Sequence, residues 1–393
     1  MTSETPNSKY EAPTSTIYLD HNATTPVLPE VADAVREASL RYSANPASQH
    51  SAGRQARRML EATRQRVAQL LGAKTSGMDA DRVIFTSGGT EAANLAIFGL
   101  VGATEAGGHF VTSGIEHPCV IQAAEKLPGC EVTQLSASTD GRIEVETLRQ
   151  ALRTDTRAVS MMLANNETGV VQPIADMASV CAEQGIVMHT DAAQAIGKMP
   201  VRFTDLGAQA MSLAAHKFYG PLGVGALVLR HSVALEPSLF GGHQQAGLRP
   251  GTESVALAIG LFTALECCLK TLHQESTRIA ELRDRFEQRL ITELPELVVN
   301  GGKAERLPNT SNLGFVGWER QALLMALDQA GIACSSGSAC ASGSSEPSPT
   351  LLSMGLKSEV VEGSIRFSLG RTTTALEIDQ ACRRILSVCQ RLR

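Results

Sequence analysis

The chain has 393 residues, 43% hydrophobic and 19% charged, with a net charge of −5. That is enough for two packed domains, or one large domain with an appendage, while the acidic balance, the 4% of aromatic residues and the lack of a basic run speak against a surface that tracks nucleic-acid phosphates. The polar start Met1–Thr16 carries Glu4 and Glu11 and has no apolar core of the secretory kind, and the longest apolar stretch, Val255–Leu265, is too short to span a bilayer, so a soluble cytoplasmic protein without membrane contact is expected.

In chain order, a helix is predicted over Arg54–Leu71, with Met59, Leu60, Val67, Leu70 and Leu71 on one stripe. Strands then alternate with helices: strand Arg82–Thr86, helix Thr90–Leu100, strand His109–Thr112, helix Cys119–Leu127, strand Val132–Leu135, helix Val145–Leu152, strand Ala158–Ala164, helix Ile174–Glu183 and strand Ile186–Thr190. Two more strands follow at Met211–Leu213 and Val224–Leu229. Such alternation predicts an α/β architecture with a mostly parallel sheet covered on both faces, and ligands at the carboxyl ends of its strands. Thr252–Leu294 reads as a long helical region, broken or bent. Strands Leu297–Val299, Leu313–Val316 and Ser364–Ser368 then mix with helices Gln321–Gln329 and Ala375–Leu392 in a smaller α+β C-terminal part. The expected division is a large domain over 15–262 and a small one over 263–393, with residues 1–14 packing on the latter. Nine cysteines at irregular spacing form no Cys-x-x-Cys pair and no Cys/His metal pattern, so neither a disulfide framework nor a metal site is expected.

Four segments carry chemistry. Ser335–Ser345 is a run of small polar residues with a thiol, Cys340, near its tip; it reads either as a plain linker or as a swinging arm. Lys217 follows a buried strand and precedes the turn Gly220-Pro221. A lysine in a partly dry pocket has a lowered pKa and becomes an amine nucleophile able to form a Schiff base, although a surface lysine opening a loop is the commoner case. Asp191 ends another buried strand, where it either caps the next turn or pairs with a protonated ring nitrogen such as that of pyridoxal phosphate (PLP). Thr86-Ser87-Gly88-Gly89-Thr90-Glu91 joins a strand to a helix, and its glycines and free N–H groups suit a phosphate; a plain Ser/Gly helix start is the alternative.

These segments, with Tyr18–Thr25, Asn45–His50, Glu116-His117-Pro118, Asn165–Gly169, Asp191–Gln194, His216-Lys217, Arg249–Thr252, Ser335–Cys340 and Ile365–Ser368, run in order over nearly the whole chain. The set resembles the PLP-dependent cysteine desulfurases of the NifS/IscS-like type, in the class-V aminotransferase group. The resemblance implies PLP-dependent transferase fold type I, with a mostly parallel seven-stranded sheet in the large domain. It also implies roles. Lys217 holds PLP covalently and later moves protons. His117 stacks on the ring and assists proton transfer. Asp191 pairs with the ring nitrogen and Gln194 contacts the phenolic oxygen. Gly89, Thr90 and His216 bind the phosphate, and Thr252 reaches the phosphate of the partner subunit in a homodimer. Asn166 and Arg366 fix the substrate carboxylate, with Asn22 nearby; a strand-edge surface charge is the plain alternative for Arg366. Cys340 takes sulfur from L-cysteine as a persulfide, releasing alanine, for an iron–sulfur scaffold or other sulfur-acceptor protein. Cys334 is the second choice of nucleophile.

The chain departs from the family pattern in three places. Ala214 stands where a phosphate-binding serine is usual, Leu222 where lysine is common, and Gly241–Ala246 replaces a glycine-rich run ending in an acid and an arginine. A selenocysteine lyase or cysteine lyase on the same fold, and a non-catalytic scaffold, are the competing readings.

Overall fold

Alternation of apolar side chains along short strands builds a sheet buried on both faces. In the computed structural model, which describes residues 16–102, 107–337 and 346–392, strand β1 is Ile17–Tyr18, and seven strands follow: β2 Arg82–Thr86, β3 Gly108–Ser113, β4 Cys130–Leu135, β5 Thr156–Ser160, β6 Val187–Asp191, β7 Ala210–Ala214 and β8 Gly225–Leu229. β2 to β8 form one sheet in the order β2-β8-β7-β6-β5-β3-β4. Only β8 runs against its neighbours; the other pairings are parallel. Val83, Phe85, Val111, Val159, Met211 and Leu213 enter the core on one face, whereas Ile84, Phe110, Ala158, Ala210 and Leu227 enter that on the other. Successive side chains of a strand point to opposite faces, so both faces must be covered by helices. Helix Gly89–Gly102 and helix Pro118–Glu125 pack on one of them; helices Ser51–Leu70, Ile174–Glu183 and Val255–Lys270 pack on the other.

The remaining strands are β9 Leu297–Val299, β10 Thr310–Phe315, β11 Ile332–Ala333 and β12 Ser364–Ser368. An antiparallel sheet, β12-β10-β9, carries a second core with helices Leu272–Glu293 and Ala375–Leu392. The last helix buries Ile378, Ala381, Cys382, Ile385, Val388 and Cys389 along one stripe, the spacing of an amphipathic helix.

Two expected boundaries move. The division at residue 262 falls inside helix Val255–Lys270, whose Leu261, Leu265 and Cys268 all belong to the large core. The break lies instead at Thr271, where this helix meets Leu272–Glu293 at 71°. Residues 17–19, expected with the large domain, belong to the small one: β1 pairs in parallel with β11, and Ile17 and Leu19 are buried in its core. Residues 1–14 lie outside the described residues. Strand Ala158–Ala164 is shorter than expected, although Met161 and Leu163 continue its bonding by donating to His189 O and Asp191 O at 3.1 and 2.8 Å. Helix Pro29–Arg41 was not legible, because it buries only Val31 and Ala38. Among the described residues no single helix is long and apolar enough to cross a membrane.

Candidate active site

The carboxyl ends of β2, β3, β5, β6 and β7 lie on one edge of the large sheet, and each is followed by one of the motifs above. β7 ends in a single turn, Ala215–Lys217, that delivers Lys217. Tyr219 then takes a φ of +66°, an uncommon conformation for a bulky residue. The segment Asp20–Thr25, entering from the small domain, pins this turn: Thr25 donates to His216 O through its N–H and its hydroxyl, both at 2.9 Å, and its Oγ1 accepts from Tyr219 N at 2.6 Å. Lys217 Nζ donates to Asn22 O at 2.7 Å and Ala23 O at 2.8 Å. Lys217 is therefore not a surface lysine. Its amine lies where the two domains meet.

Asn22 gathers the neighbouring groups. Its main-chain oxygen also accepts from Gln194 Nε2 at 3.0 Å. Its side-chain Nδ2 donates to Thr310 Oγ1 at 2.9 Å and Asn166 O at 3.1 Å, and its Oδ1 accepts from Asn309 Nδ2 at 2.9 Å and Lys198 Nζ at 3.0 Å. Sequence reading missed Lys198, although its place four residues after Gln194 in a Gly-Lys turn was visible.

Asp191, at the end of β6, accepts from Ala193 N at 2.9 Å. It caps the turn, as its plain reading has it, yet it also lies within electrostatic reach of His117 and Lys217. Burial pushes its carboxyl up; the Ala193 N–H, His117, Lys217 and the Ser212 hydroxyl act against that. Beneath it, His189 lies 2.9 Å from Ser160 Oγ and 3.1 Å from Ser212 Oγ, and burial pushes its pKa down to about 3, so the ring is neutral. His117 begins helix Pro118–Glu125. Its Nδ1 accepts from Cys119 N at 3.2 Å, which leaves Nε2 as the protonated nitrogen of the neutral ring. Its neighbour Glu116 accepts from Ser113 Oγ at 2.7 Å and Met162 N at 2.9 Å, and burial pushes it up to about 8, which favours the neutral acid at pH 7.

The candidate phosphate cradle is the turn after β2. A Cβ at Gly225 would come within 2.6 Å of the Gly88 carbonyl carbon, so close packing requires glycine there, and one at Gly89 would lie a tight 3.2 Å from Ala214 Cβ. Glu91 Oε2 accepts from Ser87 N at 2.7 Å, and Glu91 also binds Arg249 at 2.6 and 3.1 Å. Thr90 and Thr252 are exposed, and Thr252 lines a hollow of about 170 Å³ with Thr86 and Ser87. His216 Nδ1 lies 3.1 Å from Thr24 Oγ1; burial, with Lys217 and Lys198, pushes its pKa down to about 4. The Gly89 contact makes Ala214 a direct test of the cradle. Ala214→Ser places a hydroxyl beside it, and one added hydrogen bond of about 1 kcal/mol should tighten PLP binding roughly fivefold, measured by equilibrium dialysis; unchanged affinity would show that the hydroxyl makes no such bond.

Arg366 is no strand-edge surface charge. It is 2% exposed and forms an ion pair with Asp20 Oδ1 at 2.7 Å. Its Nη1 donates to Asn166 O at 3.0 Å, while its buried Nε has no hydrogen-bond partner among the described residues. Asn166 thus enters the network through its main chain. Cys340 lies outside the described residues. Cys334 sits against the small core, and burial pushes its thiol far up, which argues against it as a nucleophile at neutral pH. Next to Asn166, Glu167 reaches both flanks of the Cys340 segment: its Oε2 accepts from Ser348 Oγ at 2.6 Å and would lie 2.5 Å from a Cβ at Gly337.

These residues offer what PLP needs: an enclosed amine, a buried carboxylate for a protonated ring nitrogen, an amide and a glycine cradle. Comparison with known proteins agrees. The Aminotransferase class-V family matches residues 17–381. A cysteine desulfurase of Trichormus azollae is 42% identical over 383 residues, covering 96% of this chain and 94% of that protein. The cysteine desulfurase NifS of Azotobacter vinelandii is 40% identical over 379 residues, covering 96% and 93%. The structure of a NifS-like protein from Rickettsia africae superposes with a TM-score of 0.86 at 30% identity, covering 95% of this chain and 99% of that one. By its sequence and by the sheet edge that gathers Lys217, Asp191 and Gly89, the chain belongs to the Aminotransferase class-V family.

Proposed function

We propose that the protein is a PLP-dependent cysteine desulfurase that converts L-cysteine to L-alanine and carries the sulfur as a persulfide on Cys340. The observation that supports this most is the convergence of Lys217 and Asp191, from the ends of the adjacent strands β7 and β6, on one enclosed site in a chain about 40% identical to cysteine desulfurases. PLP supplies the electron sink that loosens the substrate's Cα–H and C–S bonds. Lys217 holds PLP through its Nζ and moves the Cα proton. Asp191 holds its negative charge opposite the ring nitrogen. His117, with Nδ1 occupied by Cys119 N, has Nε2 for proton transfer. Gln194 donates to the phenolic oxygen, Gly89, Thr90 and His216 take the phosphate, and Asn22, Asn166 and Arg366 orient the carboxylate.

Cys340 then attacks the substrate sulfur as a thiolate. A new Sγ–S bond forms, the substrate C–S bond breaks, and its electron pair stays with the carbon skeleton, which is protonated and leaves as alanine. In this reading the protein is a cytoplasmic homodimer in which Thr252 of one protomer reaches the phosphate held by its partner, and the sulfur passes to an iron–sulfur scaffold or another acceptor protein. Incubating the PLP-loaded protein with L-cysteine is expected to give alanine and a 32 Da mass increase, on the order of one sulfur atom, on the peptide bearing Cys340. Alanine formation that survives Cys340→Ala, with no such mass increase, would favour a lyase instead.

A further inference from the structure

Two lysines converge on Asn22, and the function proposed above uses only one of them. Lys217 takes the main-chain oxygen, while Lys198 takes the side-chain oxygen. Lys198 sits at the end of the turn that follows Asp191 and Gln194, and its N–H donates to Ala195 O at 3.0 Å. Gly197 makes this placement possible: its φ is +76°, and a Cβ there would lie 2.8 Å from Phe218 Cβ, so the turn presses against the residue next to Lys217. The stem of Lys198 is half-buried and its amine is enclosed, and burial, with the cations Lys217 and Arg366 beside it, pushes its pKa well down. An enclosed ammonium so placed is costly unless it holds a defined set of acceptors.

The acceptors are two amides. Lys198 Nζ donates to Gln194 Oε1 at 2.6 Å and to Asn22 Oδ1 at 3.0 Å. Charged or neutral, the amine has at least two N–H donors, so the two amides it donates to must each turn an oxygen toward it. That fixes both amides. Gln194 must turn its Nε2 away, where one N–H reaches Asn22 O at 3.0 Å and the second is left for the cofactor's phenolic oxygen. Asn22 must present Nδ2 to Thr310 Oγ1 and Asn166 O, the carbonyl that Arg366 also binds. Without Lys198, the Gln194 amide would keep a single anchor among the described residues, its Nε2 bond to Asn22 O, and its orientation would be held less firmly.

We propose that Lys198 is a positioning residue of the PLP site, which locks the Gln194 amide with its N–H face toward the cofactor and holds Asn22 in register with Asn166 and Arg366. This rests on PLP binding as proposed above. It differs from the roles of Lys217 and Gln194 in that Lys198 acts through another side chain.

The test is a double-mutant cycle on PLP affinity, using Lys198→Met, Gln194→Ala and the pair, each with the visible absorption spectrum of bound PLP. Lys198→Met is expected to raise the PLP dissociation constant about tenfold in the parent and less than threefold in the Gln194→Ala background, and to shift the absorption maximum in the parent only. Equal losses in both backgrounds, with an unmoved spectrum, would mean a merely structural lysine and would overturn the proposal. So would an unchanged dissociation constant in Lys198→Met. Should Lys198→Met fail to fold, Lys198→Gln, whose shorter side chain keeps a polar head but withdraws the lysine amine, carries the same cycle with a smaller coupling. A parent protein that binds no PLP would sink the functional reading itself, an outcome distinct from a parent that binds it and a Lys198→Met that binds it equally well.

Discussion

Replacing Lys217 with alanine is expected to abolish alanine release from L-cysteine, by at least about 10⁴-fold, because one side chain both holds the cofactor covalently and moves the Cα proton. The protein should remain folded. The substitution deprives the Asn22 and Ala23 carbonyls of one donor, but Asn22 O keeps Gln194 Nε2 and the turn keeps its bonds from Thr25. A stability loss of about 1–3 kcal/mol is expected, read as a modest fall in Tm. The variant also separates the two lysines. After borohydride reduction of the parent with PLP, the labelled peptide should contain Lys217. Label on the peptide with Lys198, or activity persisting in Lys217→Ala and lost only in the double variant, would transfer the amine's role to Lys198. The geometry argues against that outcome, since Lys198 Nζ is committed to two amide oxygens, whereas Lys217 Nζ rests on main-chain carbonyls at the end of β7.

How much of this was legible in the chain follows from what each level of structure depends on. Strands β2, β9 and β12 and helices Ile174–Glu183 and Ala375–Leu392 were found at their observed limits, because each is a short apolar run or a clean stripe bounded by turn residues. Helix Pro29–Arg41 failed that test: although it packs along helix Val255–Lys270, only Val31 and Ala38 are buried, too few to mark an apolar stripe in the sequence. β1 and β11 have two residues each, and their pairing joins positions more than 300 apart, which no local pattern encodes.

The site divides in the same way. Residues at strand ends, such as Asp191 and Lys217, could be picked out because the sheet places them. Partners that arrive from elsewhere could not. Asp20 neutralises Arg366, Asn309 and Thr310 bind Asn22, and Lys198 holds Gln194; each pairing crosses between segments or depends on an amide's orientation. The plain reading of Arg366 as a surface charge fails for this reason, since its burial is visible only once β12 lies against Asp20–Asn22. Glu167 shows the same limit. Nothing in Asn165–Gly169 announces that its carboxylate meets Ser348 on one flank of the Cys340 segment and Gly337 on the other, although burial, by pushing Glu167 up, marks it as a group built into the fold.

The second large effect is expected at Asp191. Asp191→Asn keeps the shape and an oxygen for the Ala193 N–H, so the turn and the fold should survive. It removes the one negative charge that His117 and Lys217 share at the end of β6. An asparagine cannot balance a protonated ring nitrogen, and the electron sink weakens with it. Losing such a preorganised charge in an enclosed site costs about 4 kcal/mol in the transition state, so kcat should fall roughly 10³-fold, with PLP still bound through Lys217 and the Gly89 cradle. Turnover measured alongside PLP content distinguishes this from simple cofactor loss. His189 and Ser212 lie behind the carboxylate with the histidine neutral, so they add no charge that could compensate. A variant that retains wild-type kcat at full PLP occupancy would mean that Asp191 only caps its turn, and the pairing of β6 with β7 would then be architecture and not catalysis.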